Sequence, residues 1–172
     1  MGLAYGQAML ITRHAKIIMS LVLAAFCLLV TFDNITDYGT NYLFVQHVMS
    51  MDTTFPGNAL MYRSISNPAV WRAAYAAIIG AEGITGILFL LGAFRLFQLR
   101  NAEATQFNAG KTYIIAACLL AFLVWFFGFM VVAGEWFAMW QAAIWNGEEA
   151  AFRFYVAVLG VLIFVNQRDV DL

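Results

Sequence analysis

Four stretches of the chain carry almost no charge, and they constrain the fold more than any other feature. A helix needs about 20 apolar residues to cross the hydrocarbon core of a bilayer, so the two middle stretches are long enough alone and the outer two need flanking residues. Charged residues make up only 11% of the chain, too few to cover a soluble domain. The pattern therefore predicts an integral membrane protein, with apolar stretches at roughly Lys16–Phe32, Ala69–Phe94, Tyr113–Ala133 and Phe152–Val165.

The predicted fold is all-α, a single domain over residues 1–172 built as a bundle of four transmembrane helices. The spans are predicted at residues 14–33, 68–94, 112–133 and 150–167. Asn67 followed by Pro68 is typical of a helix start, with Asn as the N-cap and Pro in the first turn. Cys27 and Cys118 both fall in apolar runs, which indicates buried thiols rather than a disulfide.

The distribution of basic residues predicts the orientation. Six of the nine Lys and Arg residues fall on one side of such a bundle, at Arg13, Lys16, Arg95, Arg100, Lys111 and Arg168. By the positive-inside rule both termini face the cytoplasm and both longer loops face outward. The lipid bilayer is thus the first partner, and a net charge of −1 argues against nucleic acid as another.

Each outer loop contains an amphipathic segment. We expect a short interfacial helix over Tyr42–Met51 and a second one over Glu135–Trp145, because Trp136 and Trp140 share a helical face and Trp145 follows a little over a turn later. Tryptophan favours the headgroup level of a membrane. The predicted interface residues of these loops are Trp136, Trp140, Trp145, His47, Asp52 and Glu135.

Glu82 is the ionisable residue inside the second span, in the run IIGAEGITGILF. It lies ten residues after Arg72 and thirteen before Arg95, so about 15–20 Å of helix separates it from each and places it near the bilayer midplane. A carboxyl group there costs several kcal/mol and marks a functional-site candidate. No Lys, Arg or His lies at that depth in the other spans, so we expect Glu82 to be protonated and to donate a hydrogen bond.

The expected surroundings of Glu82 follow from helical geometry. Tyr75 and Gly86 share its face, and Trp125 lies at similar depth in the third span, where its indole N–H can reach the carboxyl group. A carbonyl near Gly83 or Gly86, or a lipid or quinone oxygen, is the expected acceptor. The opposite face is a stripe of small residues that suits close helix packing, formed by Ala73, Ala76, Ala77, Gly80 and Gly83. Two interpretations remain: a proton or ligand site, or a polar contact holding helices together.

His47, Met49 and Met51 form an H-x-M-x-M pattern whose ligand types suit Cu(I). Only His47 and Met51 share a helical face, and Met is a common filler of apolar gaps, so they are weak metal candidates and no cofactor is predicted. The four apolar stretches contain no histidine to bind haem. Asn34-Ile35-Thr36 matches the glycosylation pattern but lies too close to the first span for that role.

Three loop strings and the C-terminal end resemble a bacterial family known as predicted small integral membrane proteins, a domain of unknown function. They are FVQHVMSMDTTFPGN (Phe44–Asn58), GEWFAMWQAAIWNG (Gly134–Gly147), AFR (Ala151–Arg153) and the closing DVDL. The likeness extends from about Arg13 to the end of the chain. It implies a four-helix protein of the bacterial inner membrane, and it brings no activity, cofactor or catalytic residue.

Two functions remain as hypotheses. The first is a non-enzymatic accessory or interaction subunit of a larger membrane complex, or of a homo-oligomer, with Trp136, Trp140 or the Glu82 face buried against another chain. The second is a small transporter or a lipid- or quinone-binding protein that uses Glu82 as a proton acceptor. An enzyme using His47 with Asp52 or Glu135 ranks last, because no catalytic motif accompanies them.

Overall fold

The computed structural model describes residues 2–170, which contain helices and no β-strand. Three helical stretches are long and apolar enough to cross a membrane: Gly6–Thr36, Pro68–Gln98 and Ala104–Trp136. The last of them joins several consecutive helical elements. The predicted all-α membrane architecture is thereby confirmed at the level of three such helices. The elements in chain order are α1 (Gly2–Thr36), α2 (Tyr38–Ser50), α3 (Pro68–Gln98), α4 (Ala104–Ala109), α5 (Thr112–Phe122), a π-helix (Leu123–Trp136) and α6 (Glu148–Asn166), with short 3₁₀ turns at Met61–Arg63 and Met139–Gln141.

The start of α3 agrees with its predicted cap. The Asn67 side chain accepts a hydrogen bond from the Ala69 N–H at 2.9 Å, and Pro68 occupies the first turn. Pro has no N–H to leave unsatisfied there, and its fixed φ suits the helix. Sequence chemistry alone therefore determines where this span begins.

α1 and α3 lie side by side, and α3 also contacts α2 and α5. Two glycines of α3 permit this approach. A Cβ at Gly86 would lie 2.8 Å from Leu28 Cγ, and one at Gly92 would lie 2.5 Å from Ile114 Cγ1, closer than real Cβ atoms come. Gly86 is therefore a helix contact between α1 and α3. α6, at 19 residues, packs against α5 and the π-helix.

The core contains both cysteines. Cys27 and Cys118 are free thiols with no exposed surface, packed among residues such as Phe89, Ile114 and Val158. The prediction of small buried side chains at both positions is confirmed. Their burial shows that α1, α3, α5 and α6 share one apolar interior.

One end of the bundle, here called the loop end, consists of α2 and residues 51–67 and 137–147. The helix predicted over Tyr42–Met51 is present and begins earlier, at Tyr38. The helix predicted over Glu135–Trp145 is wrong: the chain leaves the π-helix at Trp136 and turns at Ala138, which has a φ of 52°. Ala138 and Met139 are buried against Val48 and Met51, so tertiary packing overrides the helical pattern of the tryptophans.

The opposite end, here called the terminal end, holds a cluster of four buried charged residues: Arg13, Lys16, Lys111 and Asp169. The ammonium groups of Lys16 and Lys111 each lie 2.6 Å from Asp169 Oδ2 and 2.7 Å from the Gln167 carbonyl oxygen. Arg13 donates to the carbonyl oxygens of Arg100 and Ala102, at 2.9 and 2.7 Å. This terminal cluster fixes the segment after α6 against α1 and the α3–α5 connection. Of the closing DVDL string, Asp171 and Leu172 lie outside the described residues.

Candidate ligand site

The Glu82 carboxyl group is buried by the chain's own helices, at 2% exposure. Its Oε2 accepts a hydrogen bond of 2.7 Å from the amide nitrogen of Asn34, near the end of α1. Among the described side chains Asn34 is its hydrogen-bond partner, so neither Trp125 nor a carbonyl near Gly83 or Gly86 has the role that the sequence predicts. An amide can satisfy a buried carboxyl group without a counter-charge.

Tyr75 completes this arrangement, one and a half to two turns before Glu82 on the same helix. Its hydroxyl group donates to the Asn34 backbone oxygen at 2.8 Å and lies 3.2 Å from Asn34 Oδ1. The predicted common face of Tyr75 and Glu82 is present, with both side chains 2% exposed. Tyr75, Asn34 and Glu82 form a continuous hydrogen-bonded group, called the carboxyl network below.

Glu82 lies fourteen residues after the start of α3, near the middle of that helix, and Asn34 lies two residues before the end of α1. Asn34 follows Lys16 by 18 residues on one continuous helix, which corresponds to about 27 Å. The carboxyl network therefore joins the middle of α3 to the last turn of α1. The position of Glu82 near the bilayer midplane stays a prediction.

A cavity of about 200 Å³, the polar cavity, lies against the carboxyl network. Asn34, Tyr75 and Glu82 all line it, together with Asn41 of α2. Trp125 lines it as well, with its ring packed against Phe26 and Phe154 at centroid distances of 5.6 and 5.9 Å. The structure therefore brings three of the predicted candidates, Glu82, Tyr75 and Trp125, to one cavity and leaves Gly86 outside it.

A second cavity of about 320 Å³, the apolar cavity, lies between α2, α3 and the π-helix. It shares four lining residues with the polar cavity: Phe44, Val45, Ile78 and Phe129. The small side chains of three alanines of α3 leave room for this cavity; they are Ala74, Ala77 and Ala81. Ala77 and Phe127 are exposed as well as lining it, so the apolar cavity reaches the outer surface of the bundle.

The π-helix supplies much of the wall of both cavities. It replaces the second half of the α-helix predicted at residues 112–133, and its last bond runs from the Phe137 N–H to the Val132 carbonyl oxygen, five residues back. π-Helical turns are rare and concentrate at functional sites. Here Trp125 and Phe129 face the polar cavity, while Val124 and Phe127 line the apolar one.

Most of the small-residue face of α3 is left uncovered by the described residues. Ala73, Ala76, Ala77 and Gly80 are exposed, and a Cβ at Gly80 would meet nothing within 4 Å. Gly83, the last residue of the stripe, does face α1, because a Cβ there would lie 3.4 Å from Thr31 Cγ2. The face carrying Glu82 is buried.

The loop-end candidates form a separate set. His47 Nδ1 lies 2.9 Å from Asp52 Oδ1, and the His47 ring stacks on Trp145 with centroids 4.6 Å apart. Met51 is 1% exposed in the core with Phe137 and Met139, which is the packing role rather than the metal role. This set brings His47, Asp52 and Trp145 together at the surface, away from the carboxyl network.

Trp136, Trp140 and Glu135 remain exposed at the loop end. Trp136 lies under the Arg63 guanidinium, with 4.9 Å between the Arg63 carbon Cζ and the ring centroid. Trp140 meets Phe55 edge-on at 5.8 Å. Each of the two tryptophans exposes about half of its surface, Trp136 at the end of the π-helix and Trp140 in the 3₁₀ turn at Met139–Gln141. Their role at an interface stays a prediction.

Two contributors to the site are missing from the sequence-based set. Asn34 and Asn41 lie at the end of the first apolar stretch and in the loop after it, where polar residues are common and attract no notice. The predicted first span ends at residue 33, whereas α1 continues to Thr36, one turn further. Asn34 lies on that added turn beside Glu82 of α3, and the sequence alone does not identify it as the partner of Glu82.

The helices and the buried carboxyl network define an all-helical integral membrane protein. The chain belongs to the family of predicted small integral membrane proteins, whose family model matches residues 12–168. No curated protein and no solved structure matches the chain. The family is one of unknown function, so the activity has to be argued from the cavities themselves.

Proposed function

We propose that this chain is a non-enzymatic membrane protein that binds a small amphiphilic molecule between α1, α2, α3 and the π-helix. The observation that carries the proposal is the pairing of the two cavities. One contains a buried carboxyl group with an amide and a hydroxyl group, and the adjacent one is apolar and reaches the surface. Ligand sites in proteins are concave and mostly apolar, with a few convergent polar groups.

The membrane placement belongs to the same proposal. α6 is the fourth span, because its 19 residues rise about 28 Å, enough to cross the hydrocarbon core. Four spans bring both termini to one side, and the excess of Lys and Arg at the terminal end assigns that side to the cytoplasm of a bacterial inner membrane. The apolar cavity then opens into the outer half of the bilayer, and a lipid or quinone enters it laterally.

Copurification tests this proposal. The chain is extracted in mild detergent, and native mass spectrometry with solvent extraction measures any retained hydrophobic molecule. Ala81→Leu fills the apolar cavity, and Ala76→Leu is the matched control because Ala76 is exposed on the same helix. We expect the wild type and Ala76→Leu to retain a molecule that Ala81→Leu loses. If the wild type retains none, or if both variants retain it equally, the proposal is wrong.

A second candidate function, an accessory or interaction subunit, is favoured by a different observation. The loop end exposes large side chains close together in the fold, with Tyr62 at 75%, Phe55 at 56% and Trp136 at 52%. Clustered exposed aromatic residues are typical of contact surfaces and also of the membrane interface. The test is the native mass of the chain with Trp136→Ala and Trp140→Ala: loss of a bound partner or second copy supports a subunit, and an unchanged monomeric mass contradicts it.

A further inference from the structure

The lining of the polar cavity has an unusual charge balance. Glu82 is its acidic residue, and within the part of the chain that the structure describes no Lys, Arg or His lines it. Five aromatic side chains surround the same space: Phe44, Tyr75, Trp125, Phe129 and Phe154. One buried acid enclosed by aromatic rings is the lining that attracts a cation, because ring faces and a carboxylate both carry negative potential.

Two hydrogen-bond donors of the carboxyl network, the Tyr75 hydroxyl group and one N–H of the Asn34 amide, are used within the network. The Tyr75 hydroxyl group donates to Asn34, and the Asn34 amide nitrogen donates to Glu82. The Asn41 amide nitrogen lies 3.4 Å from the Asp37 carbonyl oxygen of its own segment. A neutral acceptor such as a quinone needs donors from the protein, whereas a ligand with its own positive charge needs an acceptor and ring faces.

The arrangement of the two cavities adds a second requirement, which is that the ligand also has an apolar part. The apolar cavity is lined by aliphatic and aromatic residues, and it shares Phe44, Val45, Ile78 and Phe129 with the polar cavity. A molecule with a compact charged head and an apolar body fits this arrangement, with the head against Glu82 and the body between the α3 alanines and the π-helix.

We infer that the ligand is an organic ammonium compound, a lipophilic amine or quaternary ammonium ion, whose cationic head lies against Glu82 within the aromatic lining. This inference rests on the proposed function and names its ligand class. The cation supplies the counter-charge that the described residues do not place beside Glu82. The rings of Tyr75 and Trp125 contact the head, and Phe154 closes the side towards α6.

A pair of probes of equal shape tests the inference. Benzyltrimethylammonium carries the charge, and neopentylbenzene replaces its nitrogen by carbon. Binding of radiolabelled benzyltrimethylammonium to the full chain in nanodiscs is measured directly, and neopentylbenzene and duroquinone serve as competitors. We expect saturable binding that neopentylbenzene displaces about tenfold less well than unlabelled benzyltrimethylammonium, since it lacks the charge.

Variants locate the binding. Glu82→Gln preserves an oxygen that accepts the Asn34 hydrogen bond, and it should weaken benzyltrimethylammonium binding about tenfold or more. Phe154→Leu should weaken it about threefold through loss of one ring face. Glu149→Gln is the matched control, because Glu149 is exposed on α6 beside Arg153 and outside both cavities, and binding should stay within about twofold of the wild type. Thermal unfolding confirms that each variant is folded.

The outcomes separate the two proposals. Equal displacement by the neutral probe, tight binding to Glu82→Gln, or no saturable benzyltrimethylammonium binding to the wild type overturns the ammonium assignment. If duroquinone displaces the label at least as well as unlabelled benzyltrimethylammonium does, the ammonium assignment is also overturned, and the amphiphile cavity stays in place with a neutral acceptor as its ligand. The proposed function itself fails only if the copurification experiment also finds no molecule that depends on the apolar cavity.

Discussion

At the terminal end of the bundle four buried charged side chains are packed against one another and against backbone oxygens, whereas between α1 and α3 one buried carboxyl group lines a cavity. The terminal cluster contains Arg13, Lys16, Lys111 and Asp169, each no more than 4% exposed. The carboxyl network contains Glu82, Asn34 and Tyr75, and it lines an empty volume of about 200 Å³. Both are polar and deeply buried, and of the two the carboxyl network is the one that lines a described cavity.

The comparison separates two reasons for burying polar groups. Charged groups that are paired and packed without a void fix the position of a segment, and their removal affects stability. A polar group that lines a cavity is placed to contact a bound molecule, and its removal affects binding more than folding. Depth in the membrane alone does not distinguish the two, because both groups lie in or at the ends of predicted spans.

The largest effect is expected from Asp169→Asn. Asp169 is the acid that pairs with Lys16 and Lys111 among the described residues, and the variant leaves the two ammonium groups and Arg13 buried without it. Breaking a buried ion pair by removing one partner costs about 3–5 kcal/mol. Unfolding in mixed dodecyl maltoside and SDS micelles measures the loss. Glu103→Gln, an exposed acid at the same end, is the control, and equal stability of the two variants would show that the cluster is not stabilising.

A smaller loss is expected from Asn34→Ala in the carboxyl network. The substitution removes the donor to Glu82 Oε2, which leaves a buried carboxyl oxygen without this partner. The Tyr75 hydroxyl group loses the weaker contact with Asn34 Oδ1 and keeps the Asn34 backbone oxygen as its acceptor. Such a loss costs about 1–3 kcal/mol. The same unfolding assay measures it, with Asn41→Ala as the control because Asn41 lines the cavity without contacting Glu82. A loss as large as that of Asp169→Asn would make the network a structural device like the terminal cluster.

The sequence predicts the membrane class, the α3 cap and the position of α2, because these depend on local composition and on capping chemistry. It does not predict the course of residues 137–147. There the helical spacing of Trp136 and Trp140 is real, but burial of Ala138 and Met139 against α2 determines the backbone. Local pattern is decisive only where no distant surface competes for the same side chains.

The site shows the same division. Glu82 and Tyr75 are predicted from one helix, since their shared face follows from helical periodicity. Asn34 and Asp169 are both missed, because each is separated from its partner by tens of residues. Asp169 between two lysines and Asn34 beside Glu82 are contacts that only the fold brings together. The sequence feature that could indicate such a partner is the balance of acidic and basic residues at each end of the bundle.

Tyr75→Phe sharpens the comparison within the carboxyl network. The variant keeps the ring that lines the polar cavity and removes the hydroxyl donor to the Asn34 oxygen. One hydrogen bond contributes about 0.5–1.5 kcal/mol to stability. Unfolding should change by that amount while benzyltrimethylammonium binding stays close to the wild-type value, since the ring face is retained. A loss of binding with unchanged stability would instead make the hydroxyl group a ligand contact.

The smallest effect is expected for the exposed pair of His47 and Asp52. This pair adds an exposed polar contact to the comparison of the terminal cluster with the carboxyl network. Their side chains are 25% and 46% exposed, so water already solvates both partners. An exposed ion pair contributes at most about 1 kcal/mol, and the stacking of His47 on Trp145 is kept in Asp52→Asn. The unfolding assay should therefore rank Asp52→Asn below Tyr75→Phe. If Asp52→Asn instead costs as much as Asn34→Ala, burial is not what orders these polar contacts, and the distinction between the packed cluster and the cavity-side network loses its physical basis.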